Sequence, residues 1–236
     1  MRINSIISNF LISIINKYRT LKTGLKLVTS YNNVFDRYID EEMNESYNEF
    51  KKYFSQSVMF YNRKQLWDYT VQQLEKDKTN LYLEFGVYKG KSLNYFAKKL
   101  SNKEIIFHGF DSFQGLNEDW KGNFMQRGFF KHSEKFKLEN NAKIIKGTIQ
   151  ETLQHFIKDK ENLKVNFLHI DVDTYETTNF ILKVLKKSFK KNSIILFDDL
   201  HNFPGWKDGE YKALKENFVN YKFLAFGRTQ GLIKLL

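Results

Sequence analysis

Residues 81–92 read Leu81-Tyr82-Leu83-Glu84-Phe85-Gly86-Val87-Tyr88-Lys89-Gly90-Lys91-Ser92. A short apolar run ends on a carboxylate, passes through a turn with two glycines and opens a helix-like stretch. Glycine is needed where backbone must approach a ligand closely, and the start of a helix offers free amides to it. The spacing is not that of the dinucleotide fingerprint. From Gly86 to Gly90 it is also one residue short of the phosphate-binding loop that ends in Lys-Ser. By itself the stretch is equally consistent with an ordinary strand-to-helix turn.

The flanking sequence decides between these readings. LYLEF is followed by four further apolar runs, IIFHGF, AKIIKG, VNFLHI and SIILFDD, most of them trailed by an amphipathic stretch. That alternation predicts a parallel sheet wrapped by helices, a doubly wound α/β domain. At the C-terminus the alternation stops: YKFLAFG and GLIKLL, joined by Arg228, Thr229 and Gln230, read as a hairpin that adds antiparallel strands to the sheet. The single proline, Pro204, falls in a loop, and there is no internal repeat. Residues 118–137, with Trp120, Gly122, Gly128 and paired aromatics, lack periodicity and suggest a mobile lid or substrate loop.

The chain has 236 residues, enough for one well-buried catalytic domain and accessory elements. At 42% hydrophobic and 28% charged residues it is an ordinary globular composition, which excludes wholesale disorder and a multi-span membrane protein. With no cysteine, disulfides, thiolate-ligated zinc and a thiol nucleophile are excluded, and any metal falls to carboxylates and histidines. The net charge of +11 fits a polyanion partner in principle. Lys183, Lys186, Lys187, Lys190 and Lys191 instead have the spacing of a solvated helix face, and no RNA-binding motif is present, so nucleic acid is not the expected partner.

Upstream, Ile3, Ile6, Ile7, Phe10, Leu11, Ile14 and Ile15 trace one face of a helix too short and too interrupted to span a bilayer. Packing on the domain or a second subunit, in a homo-oligomer, is the first expectation; peripheral membrane contact is the second. Residues 30–78 carry further helical periodicity and are expected to precede the sheet and cover a cleft. The predicted organisation is therefore a helical extension over 1–77 and a catalytic domain over 78–236.

Two further clusters carry chemistry. Asp111, in GFDSFQGL, ends the second run 27 residues after Glu84, where a carboxylate can accept hydrogen bonds from both ribose hydroxyls of a nucleoside; the competing reading is a cap. Asp171 and Asp173 in HIDVDTYETT, and Asp198 and Asp199 in ILFDDL, fall at the ends of two later strands, at the edge where such sheets bind ligands. Four carboxylates there repel one another unless a hard cation such as Mg²⁺, Mn²⁺ or Ca²⁺ joins them; the alternative is capping without metal. His169, inside an apolar run, reads as a core residue, whereas His201 is better placed for substrate or metal. No Gly-x-Ser-x-Gly elbow supports covalent hydrolysis.

LEFGVYKGKS, GFDSFQGLNEDW, FLHIDVDTYETT and FDDLHNFPGWKDGEYKAL, in that order over about 78–236, resemble the macrocin-type (TylF-like) family of S-adenosylmethionine-dependent O-methyltransferases. The resemblance implies a class I methyltransferase fold and a metal-assisted methylation of a hydroxyl on a sugar, glycan or natural-product intermediate. It implies that Glu84, Gly86, Gly90 and Ser92 surround the methionine part of the cofactor, with Asp111 at the ribose and Gln150 near adenine. Asp171, Asp198 and Asp199 match the family's ligands for Mg²⁺ or Mn²⁺, Asp171 also bordering the cofactor, and Asp173 matches its general base. His201 and Trp206 are candidate acceptor contacts. Asn117 and Asn192 depart from the family's proline and glycine, away from this chemistry. The alternatives are methylation of RNA or of a catechol-like molecule, and a catalytically silent cofactor- or glycan-binding subunit. The expected location is the cytoplasm, with the inner face of a membrane as the variant that the N-terminal helix would allow.

Overall fold

The computed structural model describes residues 33–101, 104–133, 135–160 and 162–236. The N-terminal helix expected over residues 3–15 lies outside them. The elements run α1 (Val34–Phe54), β1 (Val58–Met59), α2 (Arg63–Gln73), β2 (Leu81–Phe85), α3 (Lys91–Leu100), β3 (Phe107–Asp111) and β4 (Ala142–Lys146). They continue with α4 (Ile149–Lys158), β5 (Val165–Ile170), α5 (Tyr175–Val184), β6 (Phe189–Phe197), α6 (Glu210–Asn217), β7 (Tyr221–Phe226) and β8 (Gly231–Leu235).

One eight-stranded sheet has the order β1-β7-β8-β6-β5-β2-β3-β4. The strands β2, β3, β4, β5 and β6 pair in parallel, while β8 runs antiparallel to both β6 and β7. The order turns back on either side of β2 and β5, and at such a switch point the strand ends diverge and leave a crevice. This is the class I methyltransferase arrangement, with the C-terminal hairpin expected from YKFLAFG and GLIKLL.

Alternation along the strands divides the core between the two faces. Leu83, Phe85, Leu168, Ile170, Ile195 and Phe197 pack with Phe50 and with residues of α4, α5 and α6. Tyr82, Phe167 and Ile194 turn the other way, against Leu66, Trp67 and Val71 of α2 and Leu93, Phe96 and Ala97 of α3. The helical region read as an extension up to residue 77 thus contributes α2 to the core beneath the sheet. One compact unit spans Glu42–Leu236. Among the described residues no helix is long and apolar enough to cross a membrane.

Candidate active site

The turn after β2 is tied to its neighbours before any ligand is considered. Gly86 has φ +86° and donates its amide to Phe110 O at 3.0 Å; Asp171 donates its own to Phe85 O at 2.8 Å. A Cβ on Gly86 would lie 1.7 Å from Asp171 O, so only glycine lets the turn pass this close to the end of β5. Gly90, at φ +69°, caps α3, and a Cβ there would strike the Phe136 ring at 2.2 Å.

Asp111 closes the turn from the side of β3. Its Oδ2 accepts from the amides of Val87 and Tyr88, both at 2.8 Å, and its Oδ1 from Phe113 at 2.7 Å. The carboxylate therefore organises the loop and also borders the cavity.

Glu84 and His169 are register partners on β2 and β5, both fully buried. Glu84 Oε1 accepts from Ser92 Oγ at 3.0 Å, and Glu84 Oε2 lies 2.9 Å from His169 Nδ1. The other ring nitrogen, Nε2, stands 3.6 Å from Asp198 Oδ1 and has no hydrogen-bond partner among the described residues. Burial opposes a charge on this ring, but Asp198 and Glu84 outweigh it and lift the imidazole to about 10.

Four aspartates gather where β5 and β6 end. Single ligand atoms of Asp171, Asp173 and Asp199 lie within 4.8 Å of one another, as do those of His169, Asp171 and Asp198. Asp173 is buried at φ +63°, a conformation costly for a non-glycine residue and typical of functional turns. Burial first, then the charges of neighbouring carboxylates, pushes Asp171, Asp173 and Asp199 well above the usual carboxylate range. For Asp198 burial acts upward too, but His169, Arg63 and Gln230 outweigh it and hold the group low.

Two participants were not singled out from the sequence. Arg63, the first residue of α2, places its Nη2 2.9 Å from Asp198 Oδ2 and is the one cation among the described residues lining the cavity. Glu210 opens α6 fully buried; its Oε2 accepts from the Asp199 amide at 3.1 Å while Oε1 has no partner among the described residues. Burial, then Asp199, pushes this acid well above its ordinary value. Glu210 falls within FDDLHNFPGWKDGEYKAL, where the sequence assigns it no role, whereas Arg63 lies outside the motifs and only the fold brings it across 135 residues to Asp198.

Arg63 and the four aspartates border one cavity of about 390 Å³, the size of small-molecule sites. Gly86, Asp111, Asp171, Asp173, Asp198 and Asp199 line it, with apolar walls from Phe110, Leu116, Met125, Phe130 and Ile149. Residues 118–137 supply part of the wall, including Trp120, whose buried indole nitrogen has no partner among the described residues. Glu84 and Ser92 are buried and bonded to each other, Gly90 and Gln150 lie at helix starts, and none of the four is among the lining residues. His201 and Trp206, expected at the acceptor, are instead core residues. His201 packs among Phe50, Phe54 and Phe226, and Trp206 against Phe50 and Tyr211 with its indole donating to Glu42 O. Their neighbours are aromatic, and burial holds the His201 imidazole down at about 4.

The fold and this strand-end cavity define a class I methyltransferase. Residues 83–200 match the family model described as a methyltransferase domain, and the chain belongs to that family. No curated protein matches the chain in sequence. Among solved structures, the calicheamicin methyltransferase CalS11 aligns with TM-score 0.60 and 19% identity, over 92% of this chain and 91% of its own. The O-methyltransferase NovP aligns with TM-score 0.56 and 17% identity, over 71% and 78% of the two chains. At these identities the likeness speaks to the fold.

Proposed function

We propose that the chain is a macrocin-type O-methyltransferase that methylates a hydroxyl of a sugar, or of a glycan or natural-product intermediate, with S-adenosylmethionine as donor and a divalent cation as aid. The observation that carries this reading is the direct apposition of the Gly86 turn to Asp171, which puts a nucleoside-type half-site and an acidic half-site into one cavity. Methyl transfer requires that adjacency, because acceptor oxygen, methyl carbon and sulfur must lie in line.

The cavity suits the donor. Phe110, Leu116 and Ile149 give apolar surface for a purine, and Asp111 and the Gly86 turn give polar groups for a ribose and an amino-acid tail. When bound, S-adenosylmethionine supplies an electrophilic methyl group on a sulfonium. The acidic half suits a cation: Asp171, Asp198 and Asp199 are hard oxygen donors that line the cavity, and burial and mutual repulsion raise Asp171 and Asp199 well above the usual carboxylate range. A cation held there would lower the pKa of an acceptor hydroxyl. Asp173 would take the hydroxyl proton; burial and the Asp171 charge raise its basicity, as a general base requires. CalS11 is described as a TDP-rhamnose 3'-O-methyltransferase, which supports a sugar acceptor.

The test is mass spectrometry of nucleotide-sugar and glycan pools incubated with the protein, methyl-labelled donor and Mg²⁺. Label in a sugar methyl ether, lost with EDTA, is the expected result. Full activity of verified metal-free protein overturns the cation, and label found in RNA but in no sugar overturns the acceptor class.

A further inference from the structure

We propose that a second, smaller cavity holds one end of the acceptor, and that its lining selects a polyhydroxylated ring over an aromatic one. The inference rests on the proposed methylation and adds the residues that read the acceptor.

This cavity, of about 70 Å³, is lined by Glu118 and Lys121 of the aperiodic segment, by Tyr175 at the start of α5, and by Asp208 and Lys212. It shares two walls, Asp173 and Trp120, with the larger cavity. A group seated in it therefore lies against the residue proposed to take the hydroxyl proton. The larger cavity must hold the donor, and the smaller one has room for the far side of a sugar ring whose reacting hydroxyl sits at Asp173.

The backbone builds this cavity. Glu118 Oε1 accepts from the Glu176 amide at 3.1 Å, tying the aperiodic segment to the first turn of α5. At Gly122, with φ +77°, a Cβ would lie 2.6 Å from Pro204 O, and at Gly205, with φ +83°, one would lie 2.3 Å from Lys121 O. Glycine at both positions lets the two main chains touch, so this part of the wall is fixed by main chain.

The lining supplies the selectivity. Among the described residues the side chains of Lys121 and Asp208 have no partner. Trp120 is only 8% exposed, and its buried indole N–H is also without a partner among the described residues, an expensive state for a polar atom. Donors on Lys121, Lys212 and Trp120 stand with acceptors on Glu118 and Asp208, which suits a ligand that accepts and donates around its whole rim. A sugar ring does so. A flat aromatic acceptor would cover these groups without pairing them, at the cost of their desolvation, and sites for such ligands are mostly apolar.

The test is nuclear magnetic resonance of the ¹⁵N-labelled full chain, held with S-adenosylhomocysteine and Mg²⁺ and titrated with a panel of methyl hexopyranosides or with catechol. The chain has three tryptophans, so the indole N–H signals are few and can be assigned. At least one glycoside should shift the Trp120 signal while that of Trp67, in the core on the α2 side of the sheet, stays; catechol should move neither. Asp208→Ala and Lys212→Ala should each weaken that glycoside about tenfold or more, the cost of removing a charged hydrogen-bond partner, with unchanged affinity for S-adenosylhomocysteine. A glycoside that binds without moving Trp120, or equally well to both variants, overturns the subsite. Binding of no glycoside, or a preference for catechol, does the same. A glycoside that binds in this way but never acquires a methyl label overturns the proposed reaction on sugars and leaves the subsite standing.

Discussion

At the scale of single residues, the roles proposed for the aspartates are ones that the same substitution can tell apart. Asp199→Asn removes one oxygen donor, so Mn²⁺ or Mg²⁺ should bind more weakly and part of the lost rate should return at high metal. Asp173→Asn should lose about 10²–10⁴-fold in rate, the usual contribution of a general base, with no rescue by metal and unchanged affinity for S-adenosylhomocysteine. Steady-state kinetics across a metal series checks both. Asp111 calls for a different readout, because its oxygens already accept from Val87, Tyr88 and Phe113. Asp111→Ala should weaken S-adenosylhomocysteine binding measured by calorimetry and also lower the melting temperature of the ligand-free protein, since hydrogen bonds to a charged group are worth roughly 1.5–3 kcal/mol. A purely ribose-binding carboxylate would show only the first effect. The aspartates were legible in the sequence because strand ends announce themselves. Arg63 was not, since nothing local marks a residue whose partner is fixed by tertiary structure, and Glu210, though inside a motif, does not show in the sequence that its side chain turns to the Asp199 amide.

At the scale of elements, the sheet follows from short apolar runs, and the turn after β2 from one glycine. Gly86→Ala would force a side chain onto Asp171 O at a φ that alanine disfavours, so the protein should lose cofactor binding and melt well below the parent. Calorimetry and thermal melting decide it. The α2 helix is more subtle: Asn62 caps it, its side chain accepting from the Lys64 amide at 2.8 Å, and this sets the first turn from which Arg63 reaches Asp198. Asn62→Ala should cost about 0.5–2 kcal/mol in chemical denaturation. The strands β2, β3, β4, β5, β6, β7 and β8 could be read from their apolar runs. The strand β1 could not: it is two exposed residues, Val58 and Met59, held by pairing with β7, and two residues carry no periodicity. Glu84 and Ser92 illustrate the converse limit. The motif that contains them was readable, but alternation along β2 and the first turn of α3 direct both inward, to each other and to His169.

At the scale of the whole molecule, acid stability should reflect a contest between two desolvated histidines, one of them half-buried, and the desolvated carboxyls of the site. His108 packs on Phe156, and His201 sits among phenylalanines; burial chiefly lowers both imidazoles to about 4, with Lys143 and Lys160 adding to the effect on His108. Their unfolded value is about 6.5, so between the two values the unfolded chain binds more protons than the folded one. The stability they contribute is therefore complete above about pH 6.5 and drains away as pH falls toward 4. Asp171, Asp173, Asp199 and Glu210 have the opposite sign, because their folded values are raised: their contribution is full below the ordinary carboxylate range and is lost as pH rises through the raised values. In the window from 4 to 6.5 the two sets oppose each other, and the pH profile of the parent reports only their difference. Replacing both histidines, as His108→Phe with His201→Phe, removes one side of it. Melting temperatures measured in EDTA should then fall less for the double variant than for the parent between pH 7 and 4.5, whatever the variant's stability at neutral pH. Parallel curves would mean that the two imidazoles are protonated in the folded protein at an ordinary pH, and that their aromatic surroundings admit the charge.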